Sequence, residues 1–493
     1  MAAIPAPFAL YTAAQARALD RAAAERYGVD SYDLMQRAAW TAFAALRRRW
    51  PEASRIGVLC GPGNNGGDGF LLAKLALEAG LAAHVLAPDD AGRGDAARAR
   101  AAFAEAGGRI ESWRAALPAA DVCVDALYGT GLNRAPQGEA AALIEALNGC
   151  GAPVLALDLP SGLDADSGCA PGAAVRAAAT VSFVAWKRGL FTAQGPDHCG
   201  ALELSTLDLP EALYAAHAPD ARLLAAEALP PRARGGHKGD YGRVLVVGGD
   251  HGMGGAARLA GEAALRVGAG LVEIATRAEH VAPILAARPE LMPRAVDGPQ
   301  ALAASCERAD VIALGPGLGQ GAWGHALWLT ALLDAQRPLV LDADALNLLV
   351  REPRALRGPA VLTPHPGEAA RLLGCDVAAV QRDRYAAVRA LAQRYAAVTA
   401  LKGAGTLIAA PSGEVAVCRW GNPGMASGGM GDVLTGVIAG LMAQGLAPWE
   451  AACLGVGLHA RAGDLAAAQG ERGLLASDLF PPLRVLVNGQ PHE

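Results

Sequence analysis

Short apolar runs alternate with longer, alanine-rich helical stretches along most of the chain, and this alternation predicts the fold. Thr12 to Gln15 (T-A-A-Q) has the pattern of a helix capping box, so we expect a helix from there to about Tyr27. A second helix should follow Asp30 and run to about residue 49, where proline stops it. Apolar strands separated by helices predict a parallel sheet that is covered on both faces. The strands predicted in the first half are 55–60, 82–86, 121–126, 153–158 and 179–184.

A second alternating series begins at Gly242. Before it, residues 209–240 are rich in proline and contain the basic segment R-A-R-G-G-H-K-G, which indicates a linker and a domain boundary near residue 222. We therefore predict the α/β fold class and two domains, residues 1–222 and 223–493. The strands predicted in the second half are 243–249, 271–275, 310–315, 338–344, 360–365, 398–403, 406–409 and 415–417.

The composition is typical of well-packed domains and excludes several classes of protein. Apolar residues make up 52% of the chain and charged residues 18%, which argues against disorder. The net charge of −5, with both signs interspersed, does not indicate a nucleic-acid or membrane surface. The first residues lack a signal-peptide pattern, and no apolar run is long enough to predict a membrane span. The nine cysteines form no C-x-x-C pair, so we predict reduced thiols and a cytoplasmic protein.

Three polar loops follow predicted strands of the first domain. Gly61 to Gly69 (G-P-G-N-N-G-G-D-G) joins a strand to a helix, and two others run from Asp125 to Arg134 and from Asp158 to Asp164. Ligands of parallel sheets bind at the carboxyl ends of strands, so we expect the three loops to meet in one crevice. Oxygen ligands without histidine or cysteine suit a hard or alkali cation better than zinc. The alternative is that each loop only turns the chain, with Asn and Asp in Asx-turns.

The stretch from Gly421 to Gly436 is the strongest chemical signal of the second domain. It holds six glycines in sixteen residues, places Asp432 after the clustered glycines, and continues into a predicted helix. Glycines and a helix start turn backbone N–H groups toward one point, which suits phosphate. A carboxylate beside phosphate is repelled, so we interpret Asp432 as a base that takes a proton from a substrate hydroxyl. The alternative is that Asp432 is the helix N-cap.

Other segments of the second domain are weaker signals. His365 lies between two prolines at a strand end, and Lys402 lies at another strand end where it could meet a phosphate. The turn G-P-G-L-G at 315–319 lacks the spacing of a dinucleotide fingerprint, and H-K-G-D-Y-G-R at 237–243 reads equally well as a surface turn. The chain contains neither a P-loop nor a G-x-S-x-G elbow.

Taken together, these motifs resemble the bifunctional NAD(P)H-hydrate repair enzymes, in which an epimerase domain precedes an ADP- or ATP-dependent dehydratase domain. G-N-N-G-G-D-G, D-A-L-Y-G-T-G-L and D-L-P-S-G-L-D resemble the epimerase motifs. H-K-G-D-Y-G-R, G-P-G-L-G, T-P-H-P-G-E, K-G-A-G-T and G-M-G-D-V-L-T-G resemble the dehydratase motifs, and the order covers nearly the whole chain. The resemblance implies a Rossmann-like three-layer αβα sandwich followed by a ribokinase-like domain.

The resemblance also implies the site residues. In the epimerase domain Asp158 would be catalytic, and Asn65, Asp125 and Ser161 match potassium ligands. The epimerase pocket would be lined by Asn64, Asn65, Gly66, Gly67, Asp68, Gly129, Thr130, Gly131, Leu132, Asn133, Arg134, Ala135 and Asp158. In the dehydratase domain, hydrate contacts match Ala256, Gly317, His365 and the catalytic Asp432, and the nucleotide site matches Lys402, Gly403, Ala404, Gly405, Thr406 and Gly431.

The implied substrate is NADH or NADPH hydrated at C6 of the nicotinamide ring, a damaged cofactor with two epimers. The first domain would interconvert the R and S epimers, and the second would dehydrate the S epimer through a phosphorylated intermediate. The implied cofactors are K⁺ in the first domain and Mg²⁺ with ADP or ATP in the second, and a homo-oligomer is expected. The alternative is a ribokinase-type vitamin-precursor kinase whose N-terminal domain binds a ligand without catalysis.

Overall fold

Each half of the chain is built around its own sheet in the computed structural model, which describes residues 6–90, 92–113, 117, 119–131, 134–333 and 337–489. The chain divides into two units, Met1–Arg222 and Leu223–Glu493. The alternating strands and helices confirm the predicted α/β fold class. No described helix is both long and apolar enough to cross a membrane.

The first unit contains a seven-stranded parallel sheet in the order β4-β3-β2-β5-β6-β7-β9. The strands of this unit are β1 (Ala9–Tyr11), β2 (Arg55–Cys60), β3 (Ala82–Ala87), β4 (Ile110–Ser112), β5 (Val122–Ala126), β6 (Val154–Leu157), β7 (Ala179–Phe183), β8 (Trp186–Lys187), β9 (Ala201–Ser205) and β10 (Ala221–Leu223). Its helices are α1 (Ala13–Tyr27), α2 (Ser31–Arg49), α3 (Asn64–Glu78), α4 (Gly94–Glu105), α5 (Glu139–Gly149), α6 (Gly195–Cys199) and α7 (Glu211–Ala215). Short β1 pairs with β8 and β10 outside this order.

Strand β2 shows how both faces of this sheet are covered. Val58 belongs to the core that packs against α2 and α3, whereas the next residue, Leu59, belongs to the core that packs against α5. Successive side chains of a strand point to opposite faces, so an uninterrupted apolar strand requires a layer of helices on each side. The first unit is therefore the Rossmann-like three-layer sandwich that was predicted.

The second unit contains a mixed sheet in the order β13-β12-β11-β14-β15-β16-β17-β18-β19, in which only the pairs β17–β18 and β18–β19 are antiparallel. Its strands are β11 (Arg243–Val247), β12 (Leu271–Thr276), β13 (Met292–Ala295), β14 (Val311–Leu314), β15 (Leu339–Leu341), β16 (Ala360–Leu362), β17 (Val398–Leu401), β18 (Leu407–Ala409) and β19 (Val415–Val417). Its helices are α8 (Gly254–Arg266), α9 (Val281–Ala287), α10 (Pro299–Arg308), α11 (Ala322–Leu333), α12 (Asp344–Arg351), α13 (Pro366–Leu373), α14 (Val377–Arg382), α15 (Arg384–Tyr395), α16 (Met430–Ala443), α17 (Pro448–Ala466) and α18 (Phe480–Val487).

The predicted helices α1 and α2 are confirmed, since the Thr12–Gln15 capping box forms and Asp30 caps α2. The sequence pattern missed β1 and β8, which have only three and two residues, and it also missed β4, β9 and β13. The strands β4, β9 and β13 lie at the edges of their sheets and have partly exposed side chains, so they lack the continuous apolar run by which the central strands were found. The predicted linker also contains the short elements α7 and β10.

Candidate functional sites

The three polar loops of the first unit meet at the carboxyl ends of neighbouring strands. They follow β2, β5 and β6, and these strands are adjacent in the sheet. The order of the strands reverses between β2 and β5, which is where open α/β sheets bind their ligands. A Cβ atom placed on Gly129 would lie 3.2 Å from Asp158 Oδ2 and 3.6 Å from the Asn65 side chain, so residues of all three loops line one crevice.

Asp125 and Ser161 form the buried floor of this crevice. The Asp125 carboxylate is fully buried and accepts hydrogen bonds from the Ser161 amide (2.7 Å) and the Ser161 hydroxyl (2.6 Å). It also accepts one from the Leu127 amide, an Asx-type bond that closes the turn. Burial raises the pKa of Asp125 to about 6, although these hydrogen bonds lower it. The pair thus concentrates negative charge and oxygen atoms beneath the loops.

Asn65 is the polar side chain in this crevice that lacks partners. Its side-chain Oδ1 and Nδ2 are buried and have no hydrogen bond among the described residues, although an unsatisfied buried amide is costly. An amide oxygen, a buried carboxylate and a serine hydroxyl form the kind of oxygen set that an alkali ion accepts. No cluster of three His, Cys, Asp or Glu residues in the described part of the chain is arranged to hold a metal. The residues therefore fit the implied potassium ion and not a zinc site.

Asp158 is held in an unusual backbone conformation after β6. Its φ of 67° lies in the left-handed region, and its amide donates to the Val181 carbonyl oxygen at 2.8 Å. The carboxylate oxygen Oδ1 forms an ion pair with Lys187, whose ammonium group also donates to Phe183 O (2.8 Å) and Ser182 Oγ (3.2 Å). The other oxygen, Oδ2, is directed toward Gly129 and the crevice.

Two further carboxyl groups surround this ion pair. Burial raises the pKa of Asp68 on α3 well above its ordinary value, and the charges of Asp158 and Asp20 raise it further. Asp20 on α1 is open to solvent along one side, but the surrounding protein atoms raise its pKa to about 6. Lys187 lowers the pKa of both groups. The crevice therefore places three carboxyl groups around one buried ammonium group.

Most glycines of the first loop are required for close packing. A Cβ atom on Gly61 would collide with the Leu127 carbonyl oxygen, and one on Gly66 would collide with the Gly61 carbonyl oxygen. A Cβ atom on Gly67 would lie 2.6 Å from Met35 Sδ. Among the five glycines of this loop, only Gly63, the N-cap of α3, has open space where a Cβ atom would lie. Close packing therefore explains why the other four positions are glycine.

The loop after β5 forms the outer rim of the crevice. Arg17 on α1 donates to the Thr130 carbonyl oxygen at 2.9 Å and so fixes the loop from outside. Gly131 and Arg134 are exposed and Ala135 is half-buried, while Asn64 at the start of α3 is also exposed. Leu132 and Asn133 lie outside the described residues.

Asp432 lies in the first turn of α16, at the carboxyl edge of the second sheet. The N-cap of α16 is Gly429, which has a φ of 92° and no side-chain cap, so the alternative that Asp432 caps this helix is wrong. Burial raises the pKa of Asp432 to about 7, and the charges of Asp342 and Asp344 add to this effect while Lys402 opposes it. A carboxyl group with such a pKa exchanges a proton readily near neutral pH, as a general base must.

Lys402 connects the strand ends around Asp432. Its ammonium group lies 2.7 Å from Asp342 Oδ1 and 3.9 Å from Glu368 Oε2. Burial alone would lower the pKa of Lys402, but these two carboxylates raise it, so the group stays cationic. Asp342 is almost fully buried and accepts a second hydrogen bond from the Thr435 hydroxyl on α16 at 2.9 Å. A Cβ atom on Gly431 would lie 3.2 Å from the ammonium nitrogen, so Gly431 leaves that group accessible.

His365 caps a helix and also lies close to Lys402. It is the N-cap of α13, and its Nδ1 accepts hydrogen bonds from the Gly367 and Glu368 amides at 3.0 and 3.4 Å. Partial burial and the nearby cations Lys402 and Arg371 lower the pKa of His365, which keeps the imidazole neutral. The side chain is about half exposed, and its Nε2 lies 3.4 Å from Glu368 Oε1.

Ala256 and Gly317 lie next to each other at the same edge of the sheet. Gly317 has a φ of 58°, and a Cβ atom there would lie 3.2 Å from the Ala256 Cβ. Two residues further on, the Gly319 amide donates to Asp344 at 2.9 Å, and Asp344 is one of the charges that act on Asp432. The structure thus groups the predicted hydrate contacts around one end of the sheet.

The loop after β17 is shaped by an arginine that the sequence did not indicate. Arg384 is almost fully buried and donates to the Leu401 and Lys402 carbonyl oxygens, both at 3.2 Å. It underlies Gly403, which has a φ of 130°. The described loop exposes Gly403 and Ala404, buries Gly405, and closes with a hydrogen bond from the Thr406 hydroxyl to the Gly403 carbonyl oxygen at 3.0 Å.

The H-K-G-D-Y-G-R segment lies at the opposite edge of the second sheet. It forms a short 3₁₀ helix, Lys238–Tyr241, just before β11 begins, and a Cβ atom on Gly242 would collide with the last residue of α16. Asp240 and Tyr241 line a cavity of about 730 Å³ there, which contains none of the predicted site residues. This motif therefore belongs to the amino edge of the sheet, away from Asp432.

Several site residues were not predicted, because their role depends on contacts with residues that are distant in the sequence. Lys187, Asp342, Asp20 and Arg384 carry no local motif, and their partners are distant in the sequence. The available signal was a charged residue at the end of an apolar strand, as in W-K-R after A-T-V-S-F-V and L-D-A-D after P-L-V. Such a residue is seldom buried without a partner or a function.

Two known protein families match different parts of the chain. A family described as YjeF-related protein N-terminus matches residues 31–189, and one described as NAD(P)H-hydrate dehydratase matches residues 244–483. A relative, the bifunctional NAD(P)H-hydrate repair enzyme Nnr of Coxiella burnetii, is 50% identical over 487 residues. The alignment covers 97% of this chain and 99% of the relative.

Solved structures resemble the second unit. A ribokinase-like superfamily protein from Enterococcus faecalis V583 is 31% identical with a TM-score of 0.50, and the match covers 53% of this chain and 92% of that one. The ADP/ATP-dependent NAD(P)H-hydrate dehydratase from Bacillus subtilis, co-crystallized with ATP/Mg²⁺, is 33% identical with a TM-score of 0.49. That match covers 53% of this chain and 94% of the other.

Proposed function

The chain belongs to the family of bifunctional NAD(P)H-hydrate repair enzymes. From this membership we propose a catalytic or binding role for the residues of each of its two sites. The first unit is the NAD(P)H-hydrate epimerase, and the second is the ADP/ATP-dependent dehydratase. Membership along the whole chain favours repair over the alternative of a vitamin-precursor kinase with an inert N-terminal domain.

In the epimerase, Asp158 moves the proton during ring opening and closure. Its Oδ2 accepts the proton of the C6 hydroxyl as the C6–N1 bond breaks, the electrons of that bond pass to N1, and the protonated Asp158 then protonates N1. The open form carries an aldehyde at C6, so rotation about the C5–C6 bond exposes its other face. The same steps in reverse close the ring as the other epimer. The observation that supports this role is the open Oδ2 at the crevice, with Oδ1 fixed by Lys187.

The buried oxygen set beside this pocket would hold a potassium ion. Asn65, Asp125 and Ser161 supply the ligands, and the unsatisfied amide of Asn65 is the observation that supports the site. The ion, when bound, would neutralise Asp125 and tie the loops after β2, β5 and β6 together. The remaining predicted pocket residues, from Asn64 to Asp68 and from Gly129 to Ala135, would contact the hydrate.

In the dehydratase, Asp432 takes the proton from the C6 hydroxyl of the S epimer while that oxygen attacks the terminal phosphorus of ADP or ATP, and AMP or ADP leaves with the electrons of the broken P–O bond. The phosphate then leaves C6 with the electrons of the C6–O bond while the N1 lone pair forms a C6–N1 double bond. Loss of a C5 proton to the departing phosphate restores the C5–C6 double bond and returns the electron pair to N1. The raised pKa of Asp432 in a site that also holds Lys402 supports this role. Lys402, the loop from Gly403 to Thr406, and Gly431 would bind the nucleotide.

Divalent metal would enter this site mainly on the nucleotide. The two carboxylates beside Lys402, Asp342 and Glu368, are already engaged with its ammonium group. Mg²⁺ typically keeps several waters and binds through substrate phosphates with few protein carboxylates, which agrees with this arrangement. Ala256, Gly317 and His365 would then contact the hydrate at the same edge of the sheet.

Crossed variants test this division of work. We expect Asp158→Asn to stop exchange of the R and S epimers and to spare dehydration, and Asp432→Asn to do the reverse, each by about 10²–10⁴-fold. Exchange is measured by chromatographic separation of the epimers, and dehydration by the return of reduced-nicotinamide absorbance with ADP or ATP. A variant that lost both activities, or neither, would contradict the assignment.

Two properties of the whole molecule remain predictions. We propose that the chain forms a homo-oligomer and acts in the cytoplasm, where the NADH and NADPH that become hydrated are found. Light scattering of the purified protein and fractionation of cells measure the two properties independently of the site assignments.

A further inference from the structure

Lys187 is a buried cation whose three hydrogen-bond donors all have partners. Its side chain is 3% exposed, and it donates to Phe183 O at 2.8 Å, to Ser182 Oγ at 3.2 Å and to Asp158 Oδ1. A lysine ammonium group has three donors and no acceptor, so these contacts fix its position completely. The ammonium group is buried with all of its donors engaged, so it would act on a substrate through Asp158.

We propose that Lys187 is a positioning residue of the epimerase site, which fixes the Asp158 carboxylate with Oδ1 bound and Oδ2 presented to the hydrate. This inference rests on the proposed function of the first unit. Asp158 is otherwise held by the hydrogen bond that its backbone amide donates to the Val181 carbonyl oxygen, and by a long contact of 3.4 Å from the Phe183 amide to Oδ1. Without Lys187 the carboxylate would have no strong donor among the described residues, and rotation about its side chain would remove Oδ2 from the loop at Gly129.

Because several carboxyl groups surround Lys187, its role can be tested by the pH profile of epimer exchange. Asp158 faces it from the end of β6, Asp68 from α3, and Asp20 from α1. Arg17 and Arg21 on α1 also act on Asp20, but both are exposed. Lys187 is thus the buried cation among three carboxyl groups. An opposite charge at this range commonly lowers the pKa of a carboxyl group by about 1–3 pH units, so removal of Lys187 should raise the pKa values of Asp20 and Asp68.

Two substitutions separate this role from a purely structural ion pair. We expect Lys187→Met to lower the turnover of epimer exchange by about 10–100-fold at pH 7 with little change in KM, because a misplaced catalytic group loses rate and not binding. The acidic limb of its pH profile should move to higher pH by about 1–3 units. Lys187→Arg keeps the charge but not the geometry, so its turnover should fall while the acidic limb stays at the wild-type pH.

Lys74→Met is the matched control, since Lys74 forms a surface pair with Glu78 and lies outside the crevice. Circular dichroism and thermal melting of each variant establish that it is folded. If Lys187→Met does not fold, Lys187→Arg alone decides the question. An arginine variant with wild-type turnover, or with a displaced acidic limb, would overturn the proposal.

The same experiment separates this inference from the proposed function. If the wild-type protein does not exchange the epimers, the epimerase assignment itself is wrong. If the wild type exchanges them and a folded Lys187→Met variant keeps both its turnover and its pH profile, only the role of Lys187 is refuted.

Discussion

Replacing Asp432 by asparagine should make the second unit both less active and more stable, and this combination follows from the environment of the carboxyl group. Burial raises the pKa of Asp432 from its ordinary 3.8 to about 7. A difference of this size corresponds to about 4 kcal/mol of preference for the protonated form. Asp432 is only partly buried, and screening by water reduces this figure. We therefore expect the ionised carboxylate to lower the free energy of unfolding by about 1–3 kcal/mol.

The sign of the effect depends on pH. Between about pH 4 and pH 7 the folded chain keeps a proton on Asp432 that the unfolded chain has lost, so the free energy of unfolding falls as the pH rises through this window. Asparagine cannot ionise and removes this dependence. Asp432→Asn should therefore be more stable than the wild type at pH 8, by about 2–4 °C in Tm for each kcal/mol, and should show no such advantage at pH 4.

The pH dependence of the dehydratase rate tests the same pKa of Asp432 independently of stability. Asp432 must be ionised to accept a proton, so the wild-type rate should rise with pH and reach half of its maximum near pH 7. Asp297→Asn is the matched control, because Asp297 is exposed and has no hydrogen bond among the described residues. A wild-type rate that stays maximal below pH 5, together with an Asp432→Asn variant that gains no stability at pH 8, would refute the reasoning.

Three further predictions concern the two sites separately. Lys402→Met should raise the nucleotide KM of the dehydratase by about 10–100-fold, because a hydrogen bond to a charged group contributes about 1.5–3 kcal/mol; an unchanged KM would exclude Lys402 from the nucleotide site. Ser161→Ala removes the 2.6 Å hydrogen bond to Asp125, so we expect the epimerase to need more KCl for half-maximal rate and the first unit to lose about 1–3 kcal/mol of stability. Equal KCl curves for variant and wild type would count against the potassium site. Gly66→Ala should destabilise the first unit by about 1–3 kcal/mol in denaturant unfolding, whereas Gly63→Ala, which has open space, should stay within about 0.5 kcal/mol of the wild type.

The fold could be predicted from the sequence because its signals are local. Apolar strands such as β2 and β6 carry their own evidence of a sheet covered on both sides, and the capping box at Thr12 marks the start of α1. Edge strands such as β4 and β13 carried no such signal, because partly exposed positions follow no fixed pattern. The loops at strand ends were also visible, since in a parallel sheet the sequence position after a strand fixes the edge at which a loop lies.

What the sequence by itself determined, then, is the architecture, the family and the two aspartates that are proposed to move protons. Only the tertiary structure decided which charges surround them. Asp158 meets Lys187 across 29 residues, and Lys402 meets Asp342 across 60, because separate strands end side by side. The same applies to the glycines: the sequence shows that Gly66 has no side chain, but only the packing shows that a carbonyl oxygen fills that space. Electrostatic and steric effects act over a few ångströms in space, and distance along the chain does not predict which residues come within that range.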